Sequence, residues 1–347
     1  MIERYQKKLH KCKKNTANHP ARRFFYFSGF LYLGLSTERN LIMDRRRFIR
    51  LLPCMSLPVI LPGFMHQLFT LPGVSLSGDA AGRQIHNRTE PAYLSLHRSG
   101  ELKERGLLLH EMMARCELCP RDCHAARLNG QRGDCGAGAE LEVSSSGPHF
   151  GEETELVGRR GSGTIFFTHC SLRCVFCINY DISHLGRGRR EGIRQLSQHM
   201  LDLQRSGCHN INLVTPSHYL PHIMLALDRA AERGLRLPLV YNTCGWEKPE
   251  ILSFLDGMVD VYLADFKSGE ARAGDRYSAG AASYTEITQQ ALPEMHRQCG
   301  TARPDQVSGL IERGLMIRHL VMPQNSARTD LVLRWIGRNL PSDTYVN

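Results

Sequence analysis

Long apolar runs free of charge and proline are scarce in this 347-residue chain. The uncharged run from Phe24 to Thr37 is too short to span a bilayer. The apolar stretch from Leu51 to Gly78 is broken by Pro53, Pro58, Pro62 and Pro72, which do not suit a stable membrane helix. Cysteine is too sparse for a disulfide scaffold: 12 Cys in 347 residues fall well short of the ~8–10% that marks one. The body of the chain also lacks net charge. Residues 1–50 hold 13 Lys and Arg against 3 acids, so they carry all of the overall +10, leaving 31 bases and 31 acids beyond. A neutral body gives no compositional support to a nucleic-acid surface, and no nucleic-acid partner is expected.

The first residues read as appendages. Residues 1–42 form a basic tail or an over-extended start. In 43–82, Asp44-Arg45-Arg46-Arg47-Phe48-Ile49-Arg50 resembles a twin-arginine export motif ahead of an apolar stretch. The alternative for 43–82 is a basic, uncleaved tail. Residues 83–106 read as a polar linker. Residues 107–157 are rich in Cys and Gly with little periodicity, so their order has to come from metal or packing. Residues 158–347 are the core.

In that core strands alternate with helices. Thr164 to Phe167, Ile211 to Val214, Leu237 to Tyr241, Val259 to Phe266 and Met316 to Met322 read as apolar strands. Ile193, Leu196, Met200 and Leu203 mark one helix face, and Pro221 opens a helix that Gly234 closes. Further helical patterns lie near 248–256, 283–298 and 328–338, the second perturbed by Pro293. Tyr345-Val346 begins a sixth strand. Repeated βα units imply an α/β fold with parallel strands, either a barrel or an open doubly wound sheet. In both, chemistry collects at the C-terminal strand ends, where Cys170, Thr215, Asn242, Asp265 and Met322 stand.

Two cysteine groups carry the chemistry. Cys170, Cys174 and Cys177 follow the first strand with C-x3-C-x2-C spacing. Thiolates so spaced wrap one iron–sulfur cluster, and three ligands leave one iron of four open. Cys116, Cys119, Cys123 and Cys135 suit a structural zinc or an auxiliary iron–sulfur cluster, the alternative being reduced structural thiols. Cys12, Cys54, Cys208, Cys244 and Cys299 have no partner spacing and read as small buried hydrophobes. Asp265 and Lys267 face one side of their strand end, as cofactor or substrate contacts or as a structural ion pair. His149, Glu152 and Glu153 read as a solvated turn. Of Arg318 and His319 at most one faces the interior.

The triad, with Phe176 before its last Cys, resembles the radical S-adenosylmethionine signature. The likeness continues through Gly147-Pro-His-Phe-Gly-Glu-Glu153, Gly161-Ser-Gly-Thr-Ile-Phe-Phe167, His209-Asn-Ile-Asn-Leu-Val-Thr-Pro216, Val240-Tyr-Asn242, Asp265-Phe-Lys267 and Arg318-His-Leu-Val321. Over about residues 110–347 the chain resembles the pyruvate formate-lyase activating enzyme-like branch of that superfamily. The resemblance implies a partial (β/α)6 barrel, truncated at Asn347 where family members continue. It implies a [4Fe-4S] cluster on Cys170, Cys174 and Cys177. The cluster reductively cleaves S-adenosylmethionine, and the radical formed abstracts a substrate hydrogen, in the extreme from the glycine of a glycyl-radical enzyme. Polar groups at strand ends hold the cofactor: Asn242, Asp265, Lys267 and, because Val214-Thr-Pro-Ser-His218 replaces the usual Gly-Gly-Glu-Pro, also Thr215, Ser217 and His218. As a bland alternative, Ser217 and His218 cap the helix that Pro221 opens.

The expected partners are a protein or small-molecule substrate and an electron donor such as flavodoxin or ferredoxin. The expected location is the cytoplasm, with twin-arginine export or retention at the inner membrane face as the alternative. The competing functions are a non-catalytic iron–sulfur or electron-transfer protein with an incomplete barrel, and a thiol redox protein. The latter is weakened because Cys174 and Cys177 already belong to the triad.

Overall fold

The structure is a computed structural model and describes residues 90–347. The basic tail, the twin-arginine-like segment, Cys12 and Cys54 lie outside those residues. One mixed sheet of eight strands organises the chain, in the order β3-β1-β2-β4-β5-β6-β7-β8. The strands are β1 Leu141–His149, β2 Ser162–Phe167, β3 Arg189–Glu191, β4 Ile211–Val214, β5 Leu239–Thr243, β6 Val261–Asp265, β7 Gly314–Arg318 and β8 Tyr345–Val346. From β2 through β8, each strand beyond β3 pairs in parallel with its sequence neighbour. β1 is antiparallel to β2, and β3 to β1.

Helices fill the connections: α1 Tyr93–Arg98, α2 Glu101–Glu111, α3 Thr154–Val157, α4 Tyr180–Ser183, α5 Ile193–Arg205, α6 Leu220–Glu232, α7 Pro249–Leu252, α8 Ala271–Tyr277, α9 Tyr284–Cys299 and α10 Thr329–Asn339. Among the described residues none is long and apolar enough to cross a membrane. α5 buries Leu196, Met200 and Leu203, the stripe its periodicity announces. Pro221 stands in the first turn of α6, where a missing N–H costs nothing. α9 runs on through Pro293.

Strand alternation gives the sheet two different faces. Ile165, Phe167, Leu213, Leu239, Tyr241, Tyr262, Ala264, Leu315 and Ile317 lie in the main core with the helices. Val240, Val261, Leu263 and Met316, of the opposite parity, form a smaller cluster with Leu156, Ala302 and Ile311. Continuing that parity to the strand ends brings Phe166, Val214, Asn242, Asp265 and Arg318 to one place.

Three expectations are corrected. Residues 93–111, read largely as polar linker, are helical, and Leu102, Leu109 and Met113 behind them are fully buried. Polar residues on the outer side of α2 mask that stripe in a composition reading. Gly106 lets α2 approach α6 closely: a Cβ there would lie 3.1 Å from Met224 and Leu225. Asp260 staples α1 to the sheet, accepting the N–H of Ala92 at 2.8 Å and of Leu239 at 2.8 Å. Second, residues 141–149 of the Cys-rich segment are strand β1, not irregular chain. Third, β3 was not legible, because Arg189-Arg190-Glu191 is a charged edge with no apolar pattern.

Candidate iron–sulfur and cofactor site

A cavity of about 540 Å³ opens at the C-terminal ends of β2, β4, β5, β6 and β7. Its lining includes Cys170, Cys174, Cys177, Thr215, Asn242, Asp265 and Lys267, all expected from the sequence to be in the site. The loop after β2 turns its thiols inward through left-handed residues on either side of Cys170, His169 at φ 67° and Arg173 at φ 44°.

Each thiol of the triad has a donor or hydroxyl neighbour. Cys170 Sγ accepts the N–H of Leu172 at 3.4 Å. Cys174 Sγ and Ser278 Oγ lie 3.2 Å apart. Cys177 Sγ accepts from Ser183 Oγ at 3.2 Å. The Cys244 thiol donates to Cys170 and, despite burial, holds its pKa below the usual thiol range, with help from the N–H groups of Arg173 and Leu172. Burial pushes Cys174 up to about 11, although Lys267 and the Ser278 hydroxyl oppose it. Such second contacts orient ligands and set their basicity. Among the described residues no three His, Cys, Asp or Glu side chains form a ready single-ion site. Thiols that bind different irons of one cluster need not converge on one point. Three cavity-facing sulfurs with hydrogen-bond support fit that donor set.

The same cavity carries a charged cluster. Lys267 Nζ lies 2.6 Å from Asp265 Oδ2. Arg318 donates to Asp265 at 3.0 Å, to Glu152 at 3.3 Å and to Asn242 at 2.6 Å. Burial opposes the Asp265 carboxylate, but Lys267 and Arg318 outweigh it and hold its pKa below the usual carboxylate range. Burial raises Glu152 despite Arg318. His149 also reaches Glu152, at 3.2 Å.

Glu152 and Glu153 therefore correct the solvated-turn reading: their side chains are 7% and 3% exposed and meet Arg318. A pair of acids on a Gly-bounded turn looks solvated unless the distant arginine is known. Cys244 was also missed. It lines the cavity beside Cys170 and is not an inert hydrophobe, and its place two residues past Asn242 was the only signal. Cys208 and Cys299 are buried as expected.

Ser217 and His218 are placed otherwise than expected. Neither lines the cavity, and neither caps α6 through its side chain. Ser217 Oγ donates to Glu247 Oε1 at 2.5 Å, and Thr243 also donates to that oxygen. Glu247 is fully buried, which pushes its carboxyl up to about 7. His218 Nε2 donates to Thr168 O at 2.7 Å, two residues ahead of Cys170, and burial drops its pKa to about 3. Thr215 alone of the three faces the cavity, in a left-handed conformation at φ 58°. The one-residue parity of a strand end, continued through a 3₁₀ turn over Ser217–Tyr219, rotates Ser217 and His218 into the core.

Cys123 and Cys135 stand together in the segment before β1, and Cys116 and Cys119 lie within the electrostatic reach of Cys135. A Cβ on Gly133 would stand 3.4 Å from the sulfurs of both Cys123 and Cys135, so glycine leaves them room. Arg121 joins this segment to the triad loop. It donates to Ser171 O at 2.8 Å and Ser278 O at 3.1 Å, and its guanidinium lies 4.9 Å from the Trp246 ring centre.

The chain is 30% identical over 236 residues to an uncharacterized protein of the archaeon Methanocaldococcus jannaschii. The alignment takes in 65% of this chain and 62% of that protein, so the chain spans under two thirds of its relative's length. No family model matches the chain.

Proposed function

We propose that this protein is a radical S-adenosylmethionine oxidoreductase built on a partial (β/α)6 barrel. The single observation that carries the reading is that Cys170, Cys174 and Cys177 line one cavity together with Asn242, Asp265, Lys267 and Arg318. The barrel reading rests on topology. Parallel strands in sequence order take crossovers of one hand, which puts their helices on one face and curls the sheet.

Bound there, a [4Fe-4S] cluster would supply one electron to S-adenosylmethionine, yielding a 5′-deoxyadenosyl radical that takes a substrate hydrogen. The protein's part is to hold and shield. Cys170, Cys174 and Cys177 would hold the cluster through three thiolates. Arg318 and Lys267 offer cations, and Asp265 and Glu152 anions, to a zwitterionic ligand that also carries a sulfonium. The cavity volume lies within the range of cofactor sites. An electron donor of the flavodoxin or ferredoxin class supplies the reductant, and the active protein works in the cytoplasm, where that donor and the cofactor are found.

The test is anaerobic reconstitution with iron and sulfide, then dithionite and S-adenosylmethionine. Release of 5′-deoxyadenosine supports the enzyme. An intact cluster that cleaves nothing leaves a non-catalytic iron–sulfur protein.

A further inference from the structure

Arg127 is fully buried, yet no carboxylate touches it. Its Nε and one terminal nitrogen donate to Gly138 O at 2.9 and 2.7 Å. The other terminal nitrogen donates to His218 O at 2.9 Å and to Cys116 Sγ at 3.6 Å. The Tyr219 ring centre lies 6.0 Å away. Carbonyl oxygens and a ring face solvate a guanidinium but do not neutralise it, and an uncompensated buried charge is costly. Cys135, Tyr219, His218 and His222 are titratable groups within its field, and Glu142, a carboxylate that also acts on Tyr219, is taken up by Arg132 and His169. A histidine cannot be its anion, and a tyrosine in an apolar core is not one either. That leaves sulfur. A neutral thiol does not offset a cation, whereas a thiolate does, and thiolates persist in a core when a metal holds them.

We propose that Arg127 is the built-in counter-cation of a metal centre ligated by the thiolates of Cys116, Cys119, Cys123 and Cys135. Four thiolates around a cubane cluster, whose ligands need not converge on one point, or drawn in around one zinc ion, carry a net charge of about −2. One buried guanidinium halves that excess and donates a hydrogen bond to a ligand sulfur. Lysine would supply the charge without the fork that also grips Gly138 O and His218 O. The inference deepens the metal reading of the four cysteines. It is independent of the radical reading of the triad, because the two sites are assayed separately.

The experiment uses the full chain with Cys170, Cys174 and Cys177 all changed to Ser, so that bound metal reports the second site. Iron, zinc and acid-labile sulfide are measured after anaerobic reconstitution and after growth in zinc, and affinity is measured by chelator competition. Arg127 protein is expected to hold either zinc or iron with matching sulfide, and the analysis decides which. Arg127→Met is expected to weaken retention at least tenfold and, if the centre is a cluster, to lower its reduction potential, since a cation favours the added electron. Arg127→Lys should fall between the two. Metal held equally by Arg127 and Met variants, with unchanged spectrum, would overturn the proposal. So would parent protein that takes up neither metal. If Arg127→Met does not fold, the Lys variant decides: full affinity denies the fork's role, and no metal at all denies the charge's.

Discussion

Arg318 on β7 and Glu152 ahead of α3 meet at 3.3 Å across 166 positions of chain. That contact closes the charged cluster of the cavity, because the same guanidinium holds Asp265 and Asn242. Arg318→Met is expected to leave Glu152 short of its cation in a part-buried site and Asp265 with Lys267 alone, at a cost of roughly 3 kcal/mol. S-adenosylmethionine affinity should fall more than tenfold, read by equilibrium dialysis on protein with its cluster. Unchanged affinity would remove the charged cluster from the cofactor site.

The buried Glu247 makes stability depend on pH. Its carboxyl stands at about 7 against 4.5 for the unfolded chain. The folded state therefore keeps a proton that the unfolded state gives up between those values, and stability declines as pH rises through that window. The contribution is on the order of 3 kcal/mol, fully present below pH 4.5 and gone above pH 7. Glu247→Gln cannot titrate, so denaturant melts from pH 5 to 8 should lose that part of the slope. Parallel pH profiles for the two proteins would place the carboxyl elsewhere.

Gly245 sits at φ 81°, where a Cβ would stand 2.0 Å from Asp265 O. Gly245→Ala must displace either the Cys244 turn or the end of β6, at roughly 2–4 kcal/mol. Because Tyr284 Oη reaches both Cys244 O and Asp265 O, the displacement is expected to spread to Lys267, whose N–H donates to the same hydroxyl. Thermal melts and cofactor affinity should fall together.

His218 and Asn242 separate support from contact. His218→Ala removes a buried hydrogen bond and leaves a void, and should cost about 2–4 kcal/mol while the folded fraction binds cofactor normally. Asn242→Ala also loses a buried hydrogen bond, from Arg318, at about 1–3 kcal/mol, but unlike His218→Ala it should weaken binding in the folded fraction. Titration of S-adenosylmethionine against both variants, beside their melts, shows the split or its absence.

The legible parts of this fold were those with a short-range pattern. The α5 stripe, Pro221 and Gly234 around α6, and the apolar strands announce themselves within a few residues. The C-x3-C-x2-C loop did so too, since its three thiols come from one turn of chain. What escaped reading depends on distant partners. Glu152 looks solvated until Arg318 is brought to it, and α2 looks polar until α6 covers Leu102 and Leu109. Ser217 and His218 lie two and three residues past Thr215 but do not share its cavity, because the chain leaves the strand in a 3₁₀ turn. Arg127 gave no sequence signal, as one basic residue among many.

The most direct measurement of the central claim is release of 5′-deoxyadenosine by the native chain and by one with Cys170, Cys174 and Cys177 changed to Ser. Both are reconstituted anaerobically and given dithionite and S-adenosylmethionine, and the product is followed by liquid chromatography. The native chain should release it, and the Ser variant should release none while retaining its fold by circular dichroism. Equal release from both, or none from a native chain carrying four irons at that site, would contradict the account.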